Sequence, residues 1–203
     1  MKKVFLALAA ITLVTVTSCK DDKKGTDGTT TENVADKSES SDSESSDNLY
    51  TDVKTLNKAE EELKNLPKFK GKEIKVFQKI YFYDDGRIVA DLQDPSNPEN
   101  IDSYTYQNGK WQEPQAVQIS GGGDMGANVF SLNEIKFETV NNIYKQLQEK
   151  AKDIEGAEIN GGIYYNLNVV NGQKTWYTGI EGTRGSYSGY FNADGSLKEF
   201  KKD

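Results

Sequence analysis

The sequence predicts an α+β fold in which one helix and a four-stranded antiparallel sheet occur twice in tandem, after a cleaved leader and a disordered tether. Apolar residues recur at helical spacing in two segments, around residues 55–66 and 131–151. After each segment, apolar and polar residues alternate in short runs that Asn-Gly and Asp-Gly turn signals separate. Because a unit of about seventy residues has only a marginal core, we expect the two units to pack together.

The first eighteen residues have the order of a signal peptide. Lys2 and Lys3 form a short positive region, and residues 4–16 are apolar apart from Thr12 and Thr15. The apolar run is too short to cross a bilayer comfortably, which is typical of a cleaved leader. We therefore assign residues 1–18 to a signal peptide.

The end of the leader, Val16-Thr17-Ser18-Cys19, resembles the lipobox of bacterial lipoproteins, in which small residues precede the cysteine that becomes the first mature residue. The resemblance implies cleavage before Cys19, a diacylglyceryl group on its thiol and usually an acyl group on the new amino terminus. Two or three acyl chains anchor stably, since each buried methylene contributes roughly 0.8 kcal/mol. An ordinary signal peptide followed by an incidental cysteine is the alternative. Cys19 is the chain's only cysteine, so an internal disulfide is excluded.

Residues 19–50 predict the lipidated cysteine and a disordered, acidic tether. Serine, threonine and charged residues dominate residues 20–48, which carry too little apolar surface to offset the entropy of ordering. The run Lys20-Asp21-Asp22 resembles the surface-export signal of Bacteroidota-type lipoproteins. We therefore expect an outer-membrane lipoprotein, attached to the membrane through its lipid, that faces either the cell surface or the periplasm.

The first α+β unit is predicted over residues 51–119. Its helix places Leu56, Ala59 and Leu63 on one face and ends before Pro67. Asn108-Gly109 is the strongest hairpin signal. The four predicted strands are residues 73–83, 87–94, 101–107 and 110–119.

A glycine-rich linker over residues 120–130 leads to the second unit, residues 131–203. Ser131 and Glu134 have the spacing of a capping box, which predicts that the second helix begins there. The four predicted strands of this unit are residues 158–170, 173–180, 186–192 and 196–200. Alternation along the first of them places Ile163, Tyr165, Leu167 and Val169 on one face.

This layout is similar to the tandem helix-plus-sheet architecture of the β-lactamase inhibitory protein and of periplasmic PepSY-like domains. The resemblance covers the order of elements alone. Neither family's functional residues are carried over, because the sequence has no residue motif of either.

The composition limits the chemistry. The chain has no histidine, and its single cysteine lies in the lipobox, so triads that need a histidine or a free thiol are excluded. We predict no catalytic residue, no metal site and no cofactor. The formal charge of −7 becomes more negative when Lys2 and Lys3 leave with the leader, so nucleic acid is not an expected partner.

Two acidic features have a functional alternative. The loop of residues 94–102 is rich in oxygen ligands and could bind calcium, but it lacks the spacing of a calcium loop and also suits a wide strand connection. Glu113 and Glu199 lie on separate predicted strands and Glu181 directly follows another, and a pair of such carboxylates could hydrolyse a glycan. Solvated strand faces explain them equally.

Aromatic residues are the main candidates for partner binding. Period-two counting places Phe77, Tyr81 and Tyr83, together with Tyr104 and Tyr106, on the sheet face that the first helix leaves uncovered. Either the second unit packs against these rings or they bind a protein partner. Trp176 and Tyr190 in the second unit pose the same question. We predict a non-enzymatic binding or inhibitory module for an envelope protein. The alternatives are a carboxylate-dependent glycan-acting enzyme and a structural lipoprotein without a specific ligand.

The anchor gives a direct test. Mass spectrometry of protein from its native membrane should find Cys19 as the acylated amino terminus. The Cys19→Ala variant should be released or left unprocessed, because no thiol remains to carry the lipid. Wild-type protein that is soluble and unlipidated would refute the prediction.

Overall fold

A computed structural model describes residues 48–120 and 123–203, and this part of the chain contains ten strands and two α-helices. The predicted signal peptide, Cys19 and residues 20–47 of the tether lie outside these ranges. In chain order the elements are α1 (Val53–Asn65), β1 (Lys75–Phe82), β2 (Ile88–Gln93), β3 (Ile101–Gln107), β4 (Lys110–Trp111), β5 (Gln115–Val117), β6 (Val129–Ser131), α2 (Thr139–Ala151), β7 (Ile163–Leu167), β8 (Lys174–Gly182), β9 (Gly185–Phe191) and β10 (Leu197–Lys202).

The ten described strands belong to one antiparallel sheet, so the predicted α+β class is confirmed. The strand order is β10-β9-β8-β7-β1-β2-β3-β4, and β5 and β6 pair with β3 and β1 respectively. The first long strand of the amino-terminal half, β1, therefore lies beside the first strand after α2, β7. Their ladder pairs Lys79 with Asn166, Ile80 with Tyr165, Tyr81 with Tyr164 and Phe82 with Ile163.

Strand β1 changes its neighbour at Gln78. Residues 75–77 pair with β6, whereas residues 79–82 pair with β7. The register with β2 also shifts between Val76 and Ile80, and Gln78 has a φ of 56°, which is unusual for a residue other than glycine. The Gln78 amide donates to the side-chain oxygen of Asn128 at 3.2 Å. This bulge lets one strand support two partners on the same side.

Both helices pack on the same face of the sheet and share one apolar core. Leu56 and Leu63 of α1 belong to the same buried cluster as Val140 and Leu147 of α2. The indole N–H of Trp111 donates to a carbonyl of α1 at 2.9 Å. From the sheet, the fully buried side chains of this cluster include Ile80, Phe82, Ile88, Leu92, Ile163, Trp176 and Ile180.

Glu60 joins the two helices through a buried carboxylate. It lies on α1, is 6% exposed, and accepts a hydrogen bond from the backbone N–H of Phe137 at 2.8 Å, just before α2. Lys64 and Lys136 lie within ion-pair distance of the same carboxylate. Burial raises the pKa of Glu60, but the hydrogen bonds from Lys64 and Phe137 outweigh it and hold the pKa below its ordinary value.

Two predicted boundaries in the middle of the chain are wrong. The fourth strand of the first unit is divided into β4 and β5, because Pro114 lies between them and cannot donate to a ladder. The helix predicted to begin at Ser131 begins at Thr139. Ser131 pairs with Lys75 at the end of β6 and caps only a short 3₁₀ turn, and Phe137 is fully buried before the helix starts.

The strand predicted over residues 158–170 is also too long. Only β7 within this range is a strand. Gly161 and Gly162 have positive φ values, which interrupt the extended backbone before β7. At its other end, Val169 and Val170 lie in the turn to β8 and are 48% and 92% exposed. The prediction that Val169 continues the strand face of Ile163, Tyr165 and Leu167 is therefore wrong.

The folded part begins before residue 51. Leu49 and Tyr50, assigned to the end of the tether, are buried in a 3₁₀ turn over Leu49–Thr51. The Tyr50 hydroxyl donates to the carbonyl of Phe82 at 3.0 Å, and its own carbonyl accepts from the side chain of Asn141 at 2.7 Å. These contacts tie residues 49 and 50 to the fold.

Replacing the carboxylate of Glu60 should destabilise the fold. We expect Glu60→Gln to lower the free energy of unfolding at pH 7 by about 1–3 kcal/mol, because the amide cannot satisfy the same donors and lysines. Urea denaturation measures the change. The matched control is Glu62→Gln, whose carboxylate is 39% exposed beside Lys58 and which should change stability by about 0.5 kcal/mol or less.

The pH dependence should follow from the lowered pKa of Glu60. Its stabilisation is fully present above the ordinary carboxyl value of 4.5 and is lost as pH falls through the lower value of the folded state. The stability difference between the wild type and Glu60→Gln should therefore shrink below pH 4.5. A difference that is constant down to pH 3 would contradict this assignment.

Candidate functional site

Five tyrosines form a continuous row on the sheet face opposite the helices. The ring centroids of Tyr81 and Tyr164 are 5.0 Å apart, those of Tyr164 and Tyr177 are 5.1 Å apart, and those of Tyr177 and Tyr190 are 5.2 Å apart. Tyr83 stacks beside Tyr81 at 6.2 Å. All five side chains are partly exposed. We call these residues the tyrosine row.

The row follows from the register of four neighbouring strands. Tyr81 on β1 pairs with Tyr164 on β7, Tyr164 pairs with Tyr177 on β8, and Tyr177 pairs with Tyr190 on β9. Directly paired residues project their side chains from the same face, so the rings must be neighbours. On the other side of Tyr81, Val89 of β2 continues the same line.

Cations of the chain lie over three of the five rings. The ammonium of Lys79 is 5.7 Å from the centroid of Tyr164, and the guanidinium of Arg87 is 4.5 Å from that of Tyr83. The ammonium of Lys201 is 5.0 Å from the centroid of Tyr190. The row is therefore a mixed surface of phenols and positive charges rather than a purely apolar one.

The hydroxyl groups of the row differ in their surroundings. Tyr177 shares a hydrogen bond of 3.1 Å with the Ser188 hydroxyl, which in turn donates to Asp203 at 2.7 Å. Burial among its neighbours, and then the nearby phenol of Tyr177, raises the pKa of Tyr164 to about 12. Tyr164 is therefore a protonated donor throughout the physiological range.

The structure divides the four tyrosines that the sequence suggested for partner binding. Tyr81 and Tyr83 belong to the row. Tyr104 and Tyr106 do not, and their assignment to the same face as Tyr81 is wrong. They are 3% and 1% exposed, and they lie in the core with the helices.

The physical reason is the register of the β2–β3 hairpin. Tyr104 pairs with Ala90, and Tyr106 pairs with Ile88, both of which are buried. The residue of β3 that lies in line with Tyr81, through Val89, is Thr105. Counting in twos along each strand cannot relate the faces of two strands unless their register is known.

Sequence reasoning also missed two members of the row, Tyr164 and Tyr177. The signal was present, because Tyr164 lies between Ile163 and Tyr165, which the sequence placed together on one face of the strand, so Tyr164 must lie on the other. Trp176, for which the sequence left burial and exposure open, is fully buried, and its ring centroid lies 5.2 Å from that of Tyr165. Its neighbour Tyr177 therefore takes the outer position.

The loop of residues 94–102 has a different arrangement from a cation site. Asp94 and Asp102 both contact the ammonium of Lys68, at 3.0 Å and 2.6 Å. The other oxygen of Asp94 accepts from the backbone N–H groups of Ser96 and Asn97, which folds the loop. Within residues 48–120 and 123–203, no group of three or more acidic, histidine or cysteine side chains is placed to hold a metal ion.

The three glutamates considered for glycan chemistry lie far apart in the sheet. Glu199 is on β10 and Glu181 on β8, whereas Glu113 is in the connection between β4 and β5 beyond β3. Neighbouring strands are about 4.8 Å apart, so four intervening strands separate Glu113 from Glu181 by more than about 20 Å. Glu181 accepts from Ser186, and Glu199 pairs with Lys201. The structure does not bring these carboxylates together.

Comparisons with protein-family models, with curated proteins and with solved structures find no match for this chain. Neither of the two described helices is long and apolar enough to cross a membrane.

The division between core and row can be tested by stability. Tyr106→Ala removes a fully buried ring and should cost about 3–5 kcal/mol, whereas Tyr177→Ala removes a partly exposed ring and should cost about 1 kcal/mol. Urea denaturation of both variants measures the difference. Equal losses would show that the two tyrosines do not lie on faces of different burial.

Proposed function

We propose that the chain is an envelope lipoprotein whose folded part binds a protein partner through the tyrosine row, without catalysing a reaction. The observation that carries this proposal is the row itself, five partly exposed phenol rings in continuous contact. The two described helices cover the other face, so these rings are accessible to a second molecule.

Several properties of the row suit a protein interface. Tyrosine is enriched at such interfaces because its ring has a large apolar surface and its hydroxyl forms hydrogen bonds. From Tyr81 to Tyr190 the row crosses four strands, a width of about 15 Å. That is enough for the central patch of an interface that buries about 800 Å² on each partner. The rings are also held in place by their neighbours, so binding orders few side chains.

The same geometry supports an inhibitory role. A broad, rigid sheet face excludes other molecules from the partner's surface that it covers. Binding and inhibition would use the same contacts, and they differ only in what the covered surface of the partner does.

The proposal includes a fold built from two tandem units. The order of one helix followed by strands is repeated, with α1 preceding β1 to β4 and α2 preceding β7 to β10. The sheet order agrees with such a repeat, because the first strands of the two sets are neighbours and the last strands lie at opposite edges. In this interpretation each unit contributes half of one sheet, and the tyrosine row runs across the boundary between them.

Membrane attachment completes the proposal. Lipid on Cys19 would hold the chain at the outer membrane, and the acidic residues that follow would separate the folded part from it. The tyrosine row could then meet a partner on the cell surface or on the periplasmic side.

Site-specific photo-crosslinking in cells would test the binding proposal. The full chain would carry p-benzoylphenylalanine in place of Val89, which lies in line with the row, or in place of Lys145, which is exposed on α2. We expect a discrete adduct with one protein from position 89 and none from position 145. Adding Tyr164→Ala should reduce the adduct at least fivefold, since it removes the central ring.

Two results would count against the row as a binding surface. One is the absence of any adduct from position 89 under conditions in which the probe is incorporated and the chain is anchored. The other is an adduct of equal yield with and without Tyr164→Ala. A circular dichroism spectrum of the variant matching that of the wild type would exclude misfolding as the cause of a loss.

A further inference from the structure

The centre of the tyrosine row carries a cation that has no carboxylate partner. Lys79 lies over the ring of Tyr164, and among the described residues its ammonium makes no ion pair or hydrogen bond. The row's other two cations are paired: Arg87 contacts Asp85 at 2.8 Å, and Lys201 contacts Glu199 at 3.4 Å. Lys79 is therefore the one place on the described row where a positive charge is not balanced by the chain.

The groups around Lys79 are also hydrogen-bond donors without acceptors. Asn166 is its cross-strand partner, and the side-chain amide of Asn166 makes no hydrogen bond within the described part of the chain. The hydroxyls of Tyr81 and Tyr164 likewise have no partner there, in contrast to the hydroxyl of Tyr177, which is bonded to Ser188. An ammonium, an amide and two phenols thus meet on adjacent positions of β1 and β7.

Such a set of donors is complementary to a carboxylate. A carboxylate has about four lone-pair positions and accepts from ammonium, amide and phenol donors together. We propose that the protein partner of the tyrosine row places an aspartate or glutamate side chain at Lys79, between Tyr81 and Tyr164. This inference rests on the proposed function and specifies the chemistry of the partner's surface.

The cations over the rings and the tilt between neighbouring rings favour a protein partner over a glycan. Sugar rings stack on open aromatic faces, but the chain's own cations lie over Tyr83, Tyr164 and Tyr190. The rings along the row are also tilted against each other, by 43° between Tyr164 and Tyr177, so they do not form a flat platform. Hydroxyls and ring edges are what the row offers, and these suit side chains and peptide groups.

The charge of the whole chain limits other anionic partners. The formal charge of −7 repels polyanions such as nucleic acids at long range, whereas a single carboxylate on a neutral surface meets only the local field of Lys79. Specificity for such a carboxylate would come from the four donors together rather than from net attraction.

The crosslinking system separates this inference from the proposed function. In cells that form an adduct from position 89, we expect Lys79→Gln to reduce its yield at least tenfold, and Lys79→Glu at least as much. The matched control is Lys145→Gln, which removes a lysine from the exposed side of α2 and should leave the yield unchanged. An adduct that persists in Lys79→Gln would overturn the inference and leave the binding proposal intact, whereas the absence of an adduct in the wild type counts against the binding proposal itself.

A purified system gives a second readout. A blocked Gly-Gly-Glu-Gly-Gly peptide, whose only charge is one carboxylate, is titrated into the ¹⁵N-labelled chain purified from membranes in detergent. It should shift the amide resonances of Lys79, Tyr81, Tyr164 and Asn166. Lys79→Gln should weaken the apparent affinity at least fivefold, and Lys145→Gln should not. Equal shifts with inorganic phosphate would show a general anion site and overturn the proposal, as would shifts that are spread over all lysines.

Discussion

The pairing of β1 with β7 is the interaction on which the rest of the structure depends. It joins the strands that follow α1 to the strands that follow α2 in a single sheet. Because the two sets of strands share one sheet, both helices can pack into one core on the same face. The opposite face then runs without interruption from β10 to β4, and the tyrosines of four strands become neighbours. Without this ladder, Tyr81 and Tyr164 would lie on separate edges.

The bulge at Gln78 makes that pairing compatible with a second one. A regular strand of eight residues would present one continuous side to a single partner. The local distortion lets β6 pair with the first residues of β1 and β7 with the last. β6 follows the glycine-rich segment, so the bulge also fixes where the chain re-enters the sheet before α2. On the helix side of the sheet, Glu60 stabilises the same region by accepting a hydrogen bond from the backbone N–H of Phe137.

Local patterns in the sequence predicted much of the fold, because they depend on near neighbours. The helix around Leu56 and Leu63, the strand over residues 101–107 and the Asn108-Gly109 turn were correctly predicted. The errors arose where a distant partner decides the outcome. Ser131 has the spacing of a capping box, but pairing with Lys75 keeps it extended. Tyr104 and Tyr106 alternate correctly along their strand, but only the register with β2 shows which face they occupy.

The candidate site was harder to predict than the fold for the same reason. Tyr81 and Tyr83 could be recognised as outward-facing from their own strand. Their neighbours in the row are about eighty residues away in sequence, and nothing near Tyr81 indicates that Tyr164 lies beside it. The unpaired state of Lys79 is likewise visible only once the side chains around it are placed. Sites that form between distant strands require knowledge of the pairing.

The β1–β7 ladder has a further consequence, which concerns symmetry. Tyr81 faces Tyr164, and on either side of this pair an isoleucine faces an aromatic residue, as Ile80 faces Tyr165 and Ile163 faces Phe82. This is the pattern that a two-fold axis between the two central tyrosines would generate. About such an axis Lys79 corresponds to Gly162 and Asn166 to Tyr83, so the paired donors Lys79 and Asn166 lie at one end of the ladder and have no counterpart at the other.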